Sequence, residues 1–191
     1  MKRISTFALV FTLSAASIHA DDSRQLTVRM TFSGSGTYLA RPVNLIPNMP
    51  SVANGPVVDL TAAGDGSLGR FTLHDVSATT ANPTGFGCAG PNSIAFTFVA
   101  AGGVYRFEDG SLLTTKLKAG TVCINLTAAS AADTVTEEIT GGTGRFKNAS
   151  GTLTTTTTSD HPVLFDASMQ PVLVAIPSAL VTGTIVLPNP E

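Results

Sequence analysis

Alternation at period two, recurring in many short segments beyond residue 20, is the feature that most restricts the fold. Leu26, Val28, Met30 and Phe32 alternate with Thr27, Arg29 and Thr31, the pattern of a strand with one buried face. Similar readings fit Val57 to Thr61, Leu68 to Val76, Ile94 to Ala101, Val104 to Asp109, Leu112 to Leu117, Val122 to Thr127, Val135 to Thr140, Leu153 to Thr158 and Leu180 to Leu187. No stretch holds apolar residues at i, i+3, i+4 and i+7 long enough for a substantial helix. Turn formers separate the strands at Asn54-Gly55-Pro56, Asp65-Gly66, Asp109-Gly110, Gly141-Gly142 and Gly151. The expectation is an all-β fold: a single antiparallel β-barrel of about eight or more strands.

The start of the chain sets its expected compartment. Met1, Lys2 and Arg3 are followed by an uncharged, mostly apolar run from Ile4 to Ile18, too short for an ordinary membrane span. This predicts a cleavable signal peptide over residues 1–20, a mature chain beginning at Asp21, and one barrel domain over 21–191 in the periplasm or outside the cell. A cut after Ala16 or Ser17 is the alternative, because Ile18 is larger than the residue usually found there. No membrane span is expected after processing.

Removing Lys2 and Arg3 leaves nine basic residues against 13 acidic ones. A net charge near minus four, with no basic stripe interleaved with aromatics, argues against a nucleic-acid partner. Cys88 and Cys123 are the only cysteines, and in an oxidising compartment they are expected to form a disulfide. Cys88 lies in a Gly- and Pro-rich loop from Gly85 to Asn92, and Arg41 to Pro56 reads as a second irregular excursion.

Few side chains are candidates for chemistry. Beyond residue 20 the only histidines are His74, opposite Phe71 and Leu73 in its strand, and His161 in a turn between Asp160 and Pro162; both read as solvated. Neither Gly-x-Ser-x-Gly nor His-Glu-x-x-His occurs, and no metal or cofactor is expected. Gly-x-Gly-x-x-Gly occurs at Gly64 and at Gly85, but it leads into a strand and a proline loop rather than a helix whose N-terminus could hold a pyrophosphate.

Glu137 is the catalytic or ligand-anchoring candidate. It shares a strand face with Val135 and Ile139, whereas Glu138 faces the other way. Inside a barrel it would have a raised pKa or need a partner such as Arg106 or Arg145. The alternative is that this face is the outside of the barrel, or a strand end in water.

Ile139 to Gly151 reads Ile-Thr-Gly-Gly-Thr-Gly-Arg-Phe-Lys-Asn-Ala-Ser-Gly. This resembles the signature turn of the allene oxide cyclase and dirigent barrel superfamily, in a form found on exported bacterial chains. The matching positions are Gly141, Gly142, Thr143, Gly144, Phe146 and Gly151, with Asp133-Thr134 before the turn resembling the cyclase branch. The resemblance implies a barrel whose end is plugged by Phe146 and whose turn has a glycine at positive φ. It brings no catalytic residues: the cyclase's glutamate and asparagines have no match between Leu26 and Leu60, and the dirigent Asp and Arg residues have no counterpart that can be placed.

Three functions fit these observations: a binding module for a small, mostly apolar ligand; a cyclase- or dirigent-like enzyme guiding a reactive intermediate; and a structural or surface-interaction protein. The sequence decides neither among them nor on the oligomeric state. A lumen with apolar walls and one or two buried charges would separate the first two from a barrel filled solid.

Overall fold

In a computed structural model, residues 23–39, 56–80, 84, 88, 92–125, 127–128, 130–160, 163–165, 167 and 171–188 are described. The expected signal peptide and cleavage point, most of the Arg41 to Pro56 and Gly85 to Asn92 segments, and His161 lie outside them. Nine strands follow in order: β1 Arg24–Leu39, β2 Val57–Gly66, β3 Phe71–Thr79, β4 Ser93–Phe107, β5 Leu112–Asn125, β6 Ser130–Gly142, β7 Ser150–Asp160, β8 Val163–Phe165 and β9 Pro171–Leu187. Each pairs antiparallel with its sequence neighbour through β7, which pairs with β9. β9 pairs back on β1 and closes an eight-stranded barrel, and short β8 continues along β9 beyond the end of β7. Closure leaves no edge in the ring, so each of its eight strands finds backbone partners on both sides.

The alternating residues sort as expected on β1, where Val28, Met30 and Phe32 are buried in the core. Two expected breaks are absent. Ile94 to Ala101 and Val104 to Asp109 merge into β4 through Gly102 and Gly103, and Leu112 to Leu117 merges with Val122 to Thr127 into β5. The pairing of β4 with β5 lapses between Thr97↔Thr121 and Val104↔Thr114, so the chain stays extended while the ladder is interrupted. Leu68, placed by its hydropathy at the start of a strand, lies in the β2–β3 turn and is buried. Gly151, read as a turn residue, lies within β7. β9 begins well before Leu180 despite Pro177; its pairing with β1 shifts register between Ile176 and Ala179, so the proline falls where no ladder donor is needed.

An eight-stranded barrel is just wide enough to be filled by side chains or to hold one small molecule. This one does both, at opposite ends. One end is solid, built from Phe71, Tyr105, Phe107, Leu113, Ile139, Phe146, Leu153, Val181 and Ile185 with Val28, Met30 and Phe32. Phe146 ends a short 3-10 turn, Gly144–Phe146, and is 1% exposed. Its ring lies 4.7 Å from that of Phe107, and the Arg145 guanidinium sits 4.8 and 4.7 Å from the two ring centres. Gly144 has φ +58°, and a side chain there would collide with Ser111. The Gly-Gly-Thr-Gly segment therefore turns the chain and lays Phe146 across the barrel end.

Candidate functional site

The other end is hollow. A cavity of about 320 Å³ opens there, walled by Val58, Phe96, Phe98, Val122, Ile124, Val135, Val174 and Ile176, with Tyr38 near its rim. Leu73, Tyr105, Glu137 and Thr155, all buried, lie deepest, toward the solid end. A second hollow of about 710 Å³, lined largely by exposed, outward-facing residues such as Thr31, Ser33, Thr72 and Arg106, is open to solvent, and its Arg70–Glu108 ion pair is exposed.

Three carboxyl groups line the apolar cavity: Asp75 from β3, and Asp133 and Glu137 from β6. Strand alternation puts them there. Asp75 follows Phe71 and Leu73 on the inner face of β3, and Asp133, Val135, Glu137 and Ile139 share the inner face of β6. Glu138 faces outward and pairs with exposed Lys116 at 3.1 Å. Glu137 is 5% exposed.

The partners of these acids are hydroxyl groups. Thr115 Oγ1 donates to Glu137 Oε1 at 3.0 Å, and the same oxygen accepts the Gly103 N–H at 3.2 Å. The interrupted β4–β5 ladder accompanies this link: Gly103 has no ladder partner on β5, and one threonine there serves both the backbone and the acid. Gly103 is also the cross-strand partner of Asp75, and a Cβ there would lie 3.5 Å from Asp75 Oδ2 and 3.1 Å from Leu73. Ser77 hydrogen-bonds Asp75, Thr157 bonds Asp133, and Thr155 bonds the Tyr105 hydroxyl.

Arg106 and Arg145, the expected partners of an inward Glu137, do not reach it. Arg106 is exposed on the outer face of β4, and Arg145 caps the solid end, where it bonds Leu68 O and pairs with Asp109 at 3.3 Å. Among the described residues, no basic side chain lines the cavity.

Burial without a countercharge raises the acids' pKa values. Asp75 is pushed up to about 8, first by burial and then by the charges of Glu137, Asp133 and Asp59, with the Ser77 hydrogen bond opposing. Burial also raises Glu137 and Asp133, against their threonine hydrogen bonds. Tyr105 is raised by burial and by the charges of Glu137 and Asp75, so its hydroxyl stays protonated. Near neutral pH the cavity thus holds a protonated Asp75 that can donate a hydrogen bond or ionise when a cation arrives. Among the described residues, no three acidic, cysteine or histidine side chains are grouped to hold a metal ion.

The remaining candidates lie away from the cavity's interior. His74 is exposed on the outer face, its Nε2 2.7 Å from Asp59 Oδ1. Cys88 and Cys123 form a disulfide with Cα atoms 5.5 Å apart. Cys123 lies between the lumen-facing Val122 and Ile124, so the bond ties the β3–β4 connection to the wall of the hollow end. Gly141, Gly142, Thr143, Gly144 and Phe146 all belong to the solid end, and Gly151 opens β7 beside them. Asp75 and Asp133 were not singled out as site residues from the sequence. Asp75 keeps step with Phe71 and Leu73, and Asp133 with Val135, so the same alternation that selected Glu137 would have found both.

No protein-family model matches the chain, and no curated protein is similar to it. Two solved structures are similar in outline. The pterocarpan synthase dirigent protein GePTS1 aligns over 97% of this chain and 100% of its own, with 11% identity and a TM-score of 0.41. The pterocarpan synthase dirigent protein PsPTS1 aligns over 88% of this chain and 97% of its own, with 13% identity and a TM-score of 0.45. The architecture rests on the strand pairing itself: a closed, eight-stranded antiparallel barrel, hollow at one end.

Proposed function

We propose that this protein is a binding module that takes a small, mostly apolar molecule into the hollow end of its barrel. The supporting observation is the cavity of about 320 Å³, whose walls are aliphatic and aromatic and whose few polar groups converge from β3, β4, β6 and β7. The same reading puts the protein outside the reducing cytoplasm, as a processed exported chain, supported by the Cys88–Cys123 disulfide.

The test is binding of the neutral fluorophore N-phenyl-1-naphthylamine to the disulfide-intact protein. Val135 lines the cavity and Thr134 is its exposed neighbour on the same strand. Fluorescence should rise with the unaltered protein and with Thr134→Trp, and should be lost with Val135→Trp, whose indole fills the lumen. No rise with the unaltered protein, or equal binding by both variants, overturns the reading.

A second reading, a dirigent- or cyclase-like protein guiding a reactive intermediate, is favoured by one observation: Asp75, held up to about 8 beside Glu137, is suited to proton transfer near neutral pH. The two readings part on whether a molecule bound in the lumen leaves chemically unchanged, which mass spectrometry of the released compound decides.

A further inference from the structure

Besides its apolar walls, the cavity has an unbalanced set of polar groups. Three carboxyl groups line it, their assigned partners are the neutral hydroxyls of Ser77, Thr157 and Thr115, and the described lining contains no lysine, arginine or histidine. A structural ion pair would bring its own cation. Within the described lining, charge balance comes from protons or from whatever enters.

The second observation is the aromatic lining. Tyr38, Phe96, Phe98 and Tyr105 come from β1 and β4 and line the same hollow as the acids. The negative faces of aromatic rings attract organic cations, and a ring-lined pocket with carboxylates is a recurrent solution for recognising ammonium groups. Such an ion needs room for its hydrocarbon, and the aliphatic walls provide it. A bare metal ion fits less well, because among the described residues the acids do not group closely enough to ligate one.

Resting on the lumen-binding reading, we propose that the ligand class of this cavity is a hydrophobic ammonium ion, its charge lying among Asp75, Asp133 and Glu137 and its hydrocarbon against the aromatic and aliphatic walls. Entry of the cation draws protons off the acid cluster. Binding is therefore coupled to proton release and strengthens as pH rises toward the value at which the cluster ionises unaided. The groups that set this dependence are Asp75, Asp133, Glu137 and Tyr105 in the lumen, with Asp59 on β2 acting on Asp75 through its charge.

Phenyltrimethylammonium and tert-butylbenzene have nearly the same shape and differ by one positive charge. Both are titrated against the full, disulfide-intact protein by displacement of N-phenyl-1-naphthylamine, at pH about 6 and about 8, a span in which buried acids of this kind ionise. The cation should bind about tenfold or more tighter than its neutral isostere at the higher pH, with the advantage shrinking at the lower. Asp75→Asn and Glu137→Gln should each reduce that advantage without weakening tert-butylbenzene, and Glu138→Gln on the outer face should leave it intact. Equal or tighter binding of tert-butylbenzene at both pH values overturns the ammonium assignment and leaves the apolar lumen standing. Failure of all three compounds to bind removes both. The retained affinity of each variant for tert-butylbenzene shows that it is folded.

Discussion

The two ends of this barrel are made from the same strands and solve opposite problems. At the solid end, Phe71, Tyr105, Phe107 and Phe146 meet ring to ring, Leu113, Leu153, Val181 and Ile185 fill the space between them, and Arg145 lies over the outermost rings. At the hollow end the same inner faces continue with Asp75, Ser77, Phe96, Phe98, Asp133, Thr157 and Ser159, and they leave a cavity. Packing holds the first end. The second, which gives up packing to keep its space, has a covalent tie on its wall between Cys88 and Cys123. A barrel can hold a cavity without collapsing when one end supplies the cohesion that the other lacks.

The comparison breaks most sharply at Phe146. Phe146→Ala should cost about 3–5 kcal/mol, because it removes a fully buried ring and opens a void that Phe107 and Arg145 cannot fill. Phe98→Ala, on a half-buried ring facing the existing cavity, should cost about 1 kcal/mol, since little new empty volume is created. Urea unfolding of the two variants measures this. Equal costs would mean that the hollow end is as cohesive as the solid one.

A smaller effect sharpens the role of the tie. Replacing Cys88 and Cys123 together by serine should cost roughly 3–4 kcal/mol in the chain-entropy account. The loss should also be local: native-state hydrogen exchange should speed up at amides of β4 and β5 near Ser93–Thr97 and Thr121–Asn125, and stay unchanged near Tyr105 and Leu113. Uniform acceleration over both ends would show that the disulfide does not belong to the hollow end in particular.

What could be read in the sequence follows the same division. The solid end was legible because its residues are apolar and alternate with polar ones: Val28, Met30 and Phe32 announce their face, and the Gly-Gly-Thr-Gly-Arg-Phe segment announces a turn with a plugging ring. The hollow end was less so. Alternation groups Glu137 with Val135 and Ile139, but period two says only which residues share a face, not whether that face is the lumen or the outside. Closure of the ring decides it, through the pairing of β1 with β9 across most of the chain length. Asp75 adjoins His74, which faces the opposite way, and no charged partner marks it in the sequence. Gly102-Gly103 separates two expected strands, yet the strand runs through, with glycine where the backbone passes Asp75 and Thr115. The approach of Asp75 to Glu137 could not be foreseen from strands β3 and β6, which are not neighbours in the sheet and meet only across the lumen.

The smallest expected effect tests whether the hollow end differs electrostatically from the outer surface. Asp75 has a folded-state pKa raised from 3.8 to about 8. The folded protein therefore holds a proton there that the unfolded chain releases, and between those values the native state binds more protons than the unfolded one. Stability from this group is fully present below pH about 4, declines as pH rises toward about 8, and is constant above it. Burial likewise raises Asp133 and Glu137, so they add to the decline with the same sign. Asp75→Asn keeps the shape and removes the titration. It should match the unaltered protein near pH 4 and exceed it by about 1 kcal/mol at pH 8, a modest figure because water in the open lumen screens the charge. Thermal unfolding of both proteins at intervals from pH 4 to about 9 measures the gap. Parallel curves would mean that Asp75 ionises as freely as an outer-face carboxylate, and the electrostatic contrast between the acid-lined lumen and the outer surface would fail.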